Sequence, residues 1–191
     1  ATDQDPNSAR AGEGFWHFAL RVVRGEFVAG FHADQILRAK AKVPLPAISH
    51  PYLAYVGGAV LALATACMIA GPAGIAALLG IAAYAQMQLL LSDYVQHYGL
   101  RRKLREGGKV EPVGPQHSWN APKWYSSAMM LNAPRHSDHH LRPARAYPAL
   151  EVTRDMPVLP HSLPVMAVVA LIPPLWRRVM DRRVARWQDA A

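Results

Sequence analysis

Two uncharged apolar runs, separated by one short break, limit what this chain can become. Residues 51–70 carry no charge, and residues 75–91 form a second uncharged run, made more polar toward its end by Tyr84, Gln86 and Gln88. A helix of about 20 apolar residues crosses the hydrocarbon core of a bilayer. Gly71-Pro72-Ala73-Gly74 between the runs is a turn signal. The pattern predicts a transmembrane helical hairpin, with arms at 50–70 and 74–97. Lys40 and Lys42 precede it, and Arg101, Arg102, Lys103 and Arg105 follow it. Positive charge is retained on the cytoplasmic side, so both ends are expected there and the neutral turn on the far side. The competing reading is a buried hairpin in a soluble helical protein; abundant Gly and Ala suit close helix packing in either setting.

The rest of the composition narrows the partners. The 191 residues suffice for one domain, and 21 basic against 13 acidic residues leave a net charge of +8. The cations flank the apolar runs, as juxtamembrane charges do, which points to a lipid bilayer. No basic stripe is interleaved with stacking aromatics, so nucleic acid is excluded as a partner. A single cysteine, Cys67, excludes an intrachain disulfide, a cysteine-based zinc site and an iron–sulfur cluster.

Around the hairpin, residues 1–13 read as loop, with Asp5, Asn7 or Ser8 able to cap the helix after it. Residues 14–43 read as an interfacial amphipathic helix. Phe15, Phe18, Ala19, Val22 and Val23 recur at helical spacing, Arg21, Arg24, Arg38 and Lys40 supply a polar side, and Pro44 and Pro46 end it. Gly25 and Gly30 weaken it as one continuous helix. Residues 98–160 form a cytoplasmic region: a charged loop over 101–116, then a helix candidate from Lys123 to Leu131. In the 163–187 segment, Val165 to Trp176 is apolar but too short for an ordinary span and is interrupted by Pro173-Pro174. Residues 177–187 read as a basic amphipathic helix at the headgroup level.

Chemistry concentrates in Arg135-His136-Ser137-Asp138-His139-His140. In a helix, His136, His139 and His140 stand at i, i+3 and i+4 on one face, where neutral imidazoles can converge on one metal. The bland alternative is a solvated polar loop. His97, at the end of the second apolar run, is a fourth candidate ligand, and ionisable groups at that depth are usually functional. Asp93 and Asp138 are the nearby carboxylates. Zinc would be satisfied by three or four such ligands, whereas two irons would need more. His17, His32, His50 and His161 lack clustered context; His117 is intermediate.

Three ordered stretches make a resemblance specific. Ser92 through Arg101, containing His97-Tyr98-Gly99-Leu100, then His117-Ser118-Trp119-Asn120, then Arg135 through His140, resemble motifs of the alkane 1-monooxygenase family. These are integral-membrane non-haem diiron hydroxylases related to xylene monooxygenases and, more distantly, to fatty acid desaturases. Asp5-Pro6-Asn7-Ser8-Ala9-Arg10 with Gly12-Glu13-Gly14-Phe15-Trp16 resembles the stretch after the family's second histidine box. Pro173-Pro174-Leu175-Trp176 with Val179-Met180-Asp181 resembles its C-terminal end.

The resemblance implies an all-α integral membrane protein, the C-terminal part of a desaturase/hydroxylase-like helical fold, in a bacterial inner membrane. It implies two iron ions and O₂ as co-substrate, with His97, His136, His139 and His140 as four of nine histidine ligands. The remaining boxes would lie upstream of Ala1, making the chain a fragment incomplete for activity. It implies terminal hydroxylation of n-alkanes with electrons from rubredoxin and its reductase. Asp138, Asp93, Gln96, His117 and Asn120 are candidates to support the ligands from outside. The family commonly has Asn and Glu where this chain has Asp93 and Gln96; if that Glu orients the ligand histidine, Gln96 must do so differently, with Asp93 as the residue to compensate. Alternatives are a membrane diiron desaturase, an arene-methyl hydroxylase, or a non-catalytic membrane metal-binding protein.

Overall fold

The computed structural model describes residues 5–41, 46–105 and 107–190. Lys42 and Pro44, expected near the end of the first helix, and the first four residues of the expected N-terminal loop lie outside them. The architecture is all-α: α1 Phe15–Ala39, α2 Pro51–His97, α3 Trp124–Met129, α4 His136–Leu141, α5 Leu163–Ala170 and α6 Pro173–Ala190. Short 3₁₀ turns occupy Ala47–Ser49, Pro115–His117 and Tyr147–Ala149. Among the described residues, β pairing is confined to isolated bridges, Leu104 with Val110 and Asn120 with Val158.

The chain divides into two compact units, one from Val23 to Leu89 and one that joins the residues up to Val22 with those from Leu90 onward. In the first, α1 runs through Gly25 and Gly30 without a break. The sequence makes Gly30 a weak point, but a Cβ there would lie 2.6 Å from the Tyr52 hydroxyl. That hydroxyl donates to the Phe27 carbonyl at 2.9 Å. Close approach of Tyr52 offsets the intrinsic cost of glycine in a helix. Phe27, Phe31, His50 and Tyr55 surround the Tyr52 ring at 5.1–5.7 Å.

The expected break in α2 is present and tighter than four residues. Helical geometry fails at Ala70 (φ −139°, ψ 20°) and Gly71 (φ 58°, ψ −147°), and Pro72 already belongs to the next arm. Gly71 sits where only glycine is comfortable, and proline is well suited to a first helical turn. A Cβ on Gly74 would collide with the Ala66 carbonyl oxygen. Eight residues of straight helix would separate those positions by about 12 Å, so the chain bends sharply at the break. Leu61, Met68, Ile69, Leu79 and Ile81 are exposed along the arms. The helix is long and apolar enough to cross a membrane.

The second unit is built around the end of α2. The buried side chains are Phe15, Phe18 and Val22 from α1, Tyr94, Val95 and Tyr98 from the α2 end, Met166 from α5, and Trp176, Met180 and Val184 from α6. The Tyr94 ring lies 5.2–5.6 Å from Phe15, Phe18, Tyr98 and Trp176, spacing typical of favourable aromatic pairs. One face of the short apolar segment before α6, formed by Leu163, Met166 and Ala170, is therefore core, while Val165, Val168 and Ile172 are exposed. Pro173-Pro174 opens α6 instead of interrupting the apolar run, because proline fits the first helical turn. Lys103 to Glu111 folds back on itself through Glu111 N–H to Lys103 O (3.0 Å) and Arg105 N–H to Lys109 O (2.8 Å).

Gly99 ends α2 with φ 70°, and a Cβ there would lie 2.7–2.8 Å from both Val184 methyl groups. Gly99→Ala combines a left-handed backbone with overpacking and is expected to destabilise this unit by about 2 kcal/mol or more. Thermal unfolding of the purified protein followed by tryptophan fluorescence would show a lowered midpoint; an unchanged midpoint refutes the assignment.

Candidate metal centre

A six-residue helix is too short to hold itself in water, so α4 depends on its surroundings. Asn120, fully buried, accepts the Ser137 N–H on Oδ1 at 3.0 Å. Its Nδ2 donates to the Ser118 carbonyl (3.0 Å), the Ser137 hydroxyl (2.8 Å) and the Pro157 carbonyl (3.0 Å). The Ser137 hydroxyl lies 2.8 Å from both the Pro115 and Ser118 carbonyls. Asn120 thus caps the histidine helix from outside its own sequence, satisfying an N-terminal N–H that no local side chain reaches. On the same helix, buried Asp138 accepts from Arg145 Nη1 (2.9 Å) and the Glu151 N–H (3.0 Å), with Arg142 Nε at 3.5 Å.

That scaffold presents His136 and His140 to the last residue of α2. His97 Nε2 lies 3.2 Å from His140 Nε2, which lies 2.9 Å from His136 Nε2. Among the described residues, these three form a group whose ligand atoms all lie within 4.8 Å of one another. His97 Nδ1 stands 3.1 Å from the Asp93 carbonyl. Donation to that carbonyl places the proton on Nδ1 and leaves Nε2 with its lone pair, the tautomer a metal needs. Nitrogens each about 2.0–2.1 Å from one metal stand roughly 3 Å apart. The donor set therefore fits a metal ion.

His139 is placed differently from the expectation that all three cluster histidines share one centre. It is exposed, and its ring lies 6.1 Å from His136, outside the three-nitrogen group. Successive helical residues are 100° apart, so His136 and His140 nearly align while His139 is rotated away from both.

The other candidates are also distinguished. Asp138 holds arginines and a backbone N–H, and not an imidazole. His117 is buried with both nitrogens engaged, Nδ1 accepting from the Gly114 N–H (2.8 Å) and Nε2 beside Glu111 Oε1 (2.9 Å). It braces the loop that Ser137 contacts. Gln96 accepts from the Ser92 hydroxyl (2.8 Å), donates to the Ala133 carbonyl (3.3 Å), and its own carbonyl takes the Trp119 N–H (2.7 Å). It ties α2 to the segment before the histidine helix without touching His97. Ser137 and Arg145 are not legible as site residues in the sequence, since serine and arginine beside a histidine box carry no distinctive signal.

Burial pushes His136 well below the ordinary imidazole range, and the neighbouring histidines add to the effect. Partial desolvation also lowers His140, although that residue is exposed, with His139 acting in the same direction. His117 is lowered by burial against the opposing pull of Glu111. All three rings are thus harder to protonate when folded than in an unfolded chain, where imidazole titrates near pH 6.5. Below that pH the unfolded state binds more protons, so stability falls with acidification. The denaturation midpoint of the metal-free protein is expected to drop between about pH 7 and pH 5.5; a midpoint that rises would contradict it. Asn120→Ala should lower the midpoint by an amount corresponding to about 1–3 kcal/mol, the cost of stranding buried polar groups.

Residues 1–169 match the family model described as fatty acid desaturase. The chain is 31% identical over 187 residues to an alkane 1-monooxygenase of Ectopseudomonas oleovorans, covering 98% of this chain and 47% of that protein. It is 32% identical over 187 residues to alkane 1-monooxygenase 1 of Alcanivorax borkumensis, covering 98% and 46%. With an alkane 1-monooxygenase of Acinetobacter baylyi it shares 33% over 185 residues, covering 96% and 45%. The chain spans about half the length of the curated relatives it matches. The histidine-lined site and the matched family model agree: the chain belongs to the fatty acid desaturase family, and within it is similar to alkane 1-monooxygenases.

Proposed function

We propose that this chain is part of an alkane 1-monooxygenase, a membrane enzyme that hydroxylates the terminal methyl group of n-alkanes. The reaction consumes an alkane, O₂, two electrons and two protons, and yields a primary alcohol and water. The observation that carries the reading is the convergence of His97, His136 and His140 at the end of an apolar helix. Relatives bearing the name alkane 1-monooxygenase, and the desaturase family model, support it.

In this reading His97, His136, His139 and His140 hold iron, His139 serving a second ion because it stands outside the group of three. Two iron ions, when bound, would supply the activation of O₂. The chain's own contribution is to keep imidazoles neutral and aimed. Asn120 and Ser137 place the helix, the Asp93 carbonyl sets the His97 tautomer, and burial disfavours protonation of His136. A methyl group offers no polar handle, so selectivity must come from positioning in an apolar passage. Electrons would come from rubredoxin and its reductase. Arg101, Lys103, Arg177, Arg178, Arg182 and Arg183 provide positive charge suited to steering an acidic carrier. The site would face the cytoplasmic side of a bacterial inner membrane.

The test is product analysis. Membranes containing the protein expressed from its complete reading frame, given NADH, rubredoxin reductase, rubredoxin and an n-alkane, should form the 1-alcohol. Desaturation of a fatty acyl substrate without alcohol formation would favour a desaturase instead. His97→Ala, His136→Ala and His139→Ala should each abolish alcohol formation while leaving membrane insertion intact. Hydroxylation retained by any of them would remove that residue from the ligand set.

A further inference from the structure

The wall of the metal cavity carries two carboxylates that the imidazoles do not account for, Asp5 from the N-terminal loop and Asp93 from the helix that bears His97. A cavity of about 240 Å³ opens beside His97 and His140, and Asp5, Asn7, Ser8 and Asp93 complete its lining. Asp93 precedes His97 by one helical turn. Its carboxylate does not belong to the group of mutually close ligand atoms formed by the three histidines. Its Oδ2 instead accepts from Asn7 Nδ2 at 3.0 Å. The Asn7 Oδ1 is buried without a hydrogen-bond partner. Reversing that amide would set two oxygens 3.0 Å apart, so the donor end is committed to the carboxylate.

Asn7 is itself gripped from both sides. Arg21 donates through Nη1 to the Pro6 carbonyl (2.6 Å) and through Nη2 to the Ser8 carbonyl (3.0 Å). The same guanidinium is fixed by Glu13, through Nε to Oε1 (2.9 Å) and Nη2 to Oε2 (2.8 Å). A planar fork that binds a carboxylate and two carbonyls together is a geometry lysine lacks. The anchor holds Asn7, and Asn7 holds the Asp93 carboxylate. One turn later, Gln96 donates to a carbonyl, a contact that an ionised glutamate could not make.

We propose that Asp93 is the anionic wall of this metal centre, a carboxylate held off the metal by Asn7 that strengthens cation binding at His97 and His140 through its field without ligating. The inference rests on the histidine-ligand reading of the site. Three neutral imidazoles leave the charge of a dication uncompensated, and a fixed carboxylate in the cavity wall offsets it.

Asp93→Asn tests it, because the amide oxygen can still accept from Asn7 while the charge is gone. The probe is Co(II) binding to the protein expressed from its complete reading frame, reconstituted in lipid nanodiscs. Asp93→Asn should raise the Co(II) dissociation constant on the order of tenfold. The visible ligand-field spectrum and the melting point of the metal-free protein should stay as in the parent. Asn7→Ala, which frees the carboxylate but keeps its charge, should weaken binding by a smaller factor. Unchanged affinity in Asp93→Asn overturns the inference and leaves the ligand assignment standing. So does an altered ligand-field spectrum, which would make Asp93 a ligand. A parent protein that binds no Co(II) sinks the histidine-ligand reading and this inference with it.

Discussion

The seven residues from Asp93 to Gly99, about two helical turns, hold the larger unit together. Their polar groups reach the N-terminal loop, the segments around Trp119 and Ala133, the histidine helix and α6. Asp93 takes the Asn7 amide, and the Tyr94 hydroxyl donates to the Glu13 carbonyl. Gln96 reaches Ala133 and Trp119, and His97 meets His140. Tyr98 accepts from the Gly12 N–H and donates to Asp181, and the Gly99 N–H donates to Ala9. The aromatic rings of the same stretch fill the core. Because ring packing and hydrogen bonding are set by one helical register, a rotation of this stretch would break all of these contacts together. The position of the His97 ring is thus over-determined by interactions in which it takes no part.

The periodicities that define α1, the break near Gly71 and the histidine helix are legible in the sequence because they depend on local chemistry: apolar spacing, a Gly-Pro pair and a dense run of imidazoles. What is not legible depends on partners distant in sequence. The persistence of α1 through Gly30 requires Tyr52, 22 positions later. The extension of α6 back to Pro173 comes from burial of Trp176 among Tyr94 and Tyr98. Helical spacing puts three histidines on one broad face, but only the approach of His97 decides which two of them share a centre.

The supporting residues show the same division. In the sequence Asn120 is only a polar residue in a motif; its role becomes visible in the backbone N–H of Ser137, which has no local acceptor. Asp138, inside the histidine box, is an imidazole partner by proximity in sequence, but a side chain between two histidines on a helix points to another side. There it meets Arg145. Gln96 and Asp93 differ from the usual residues of the resembling family, and the structure gives each a distinct neighbour.

The hydrogen bonds that Asn120, Ser137 and Asp138 make to hold α4 use no histidine ring. Asn120 and Ser137 secure one side and Asp138 with Arg145 the other, leaving the imidazoles as passengers on a finished frame. If the histidines hold iron as proposed, the frame does not depend on it, and loading or loss of metal would leave the helix in place.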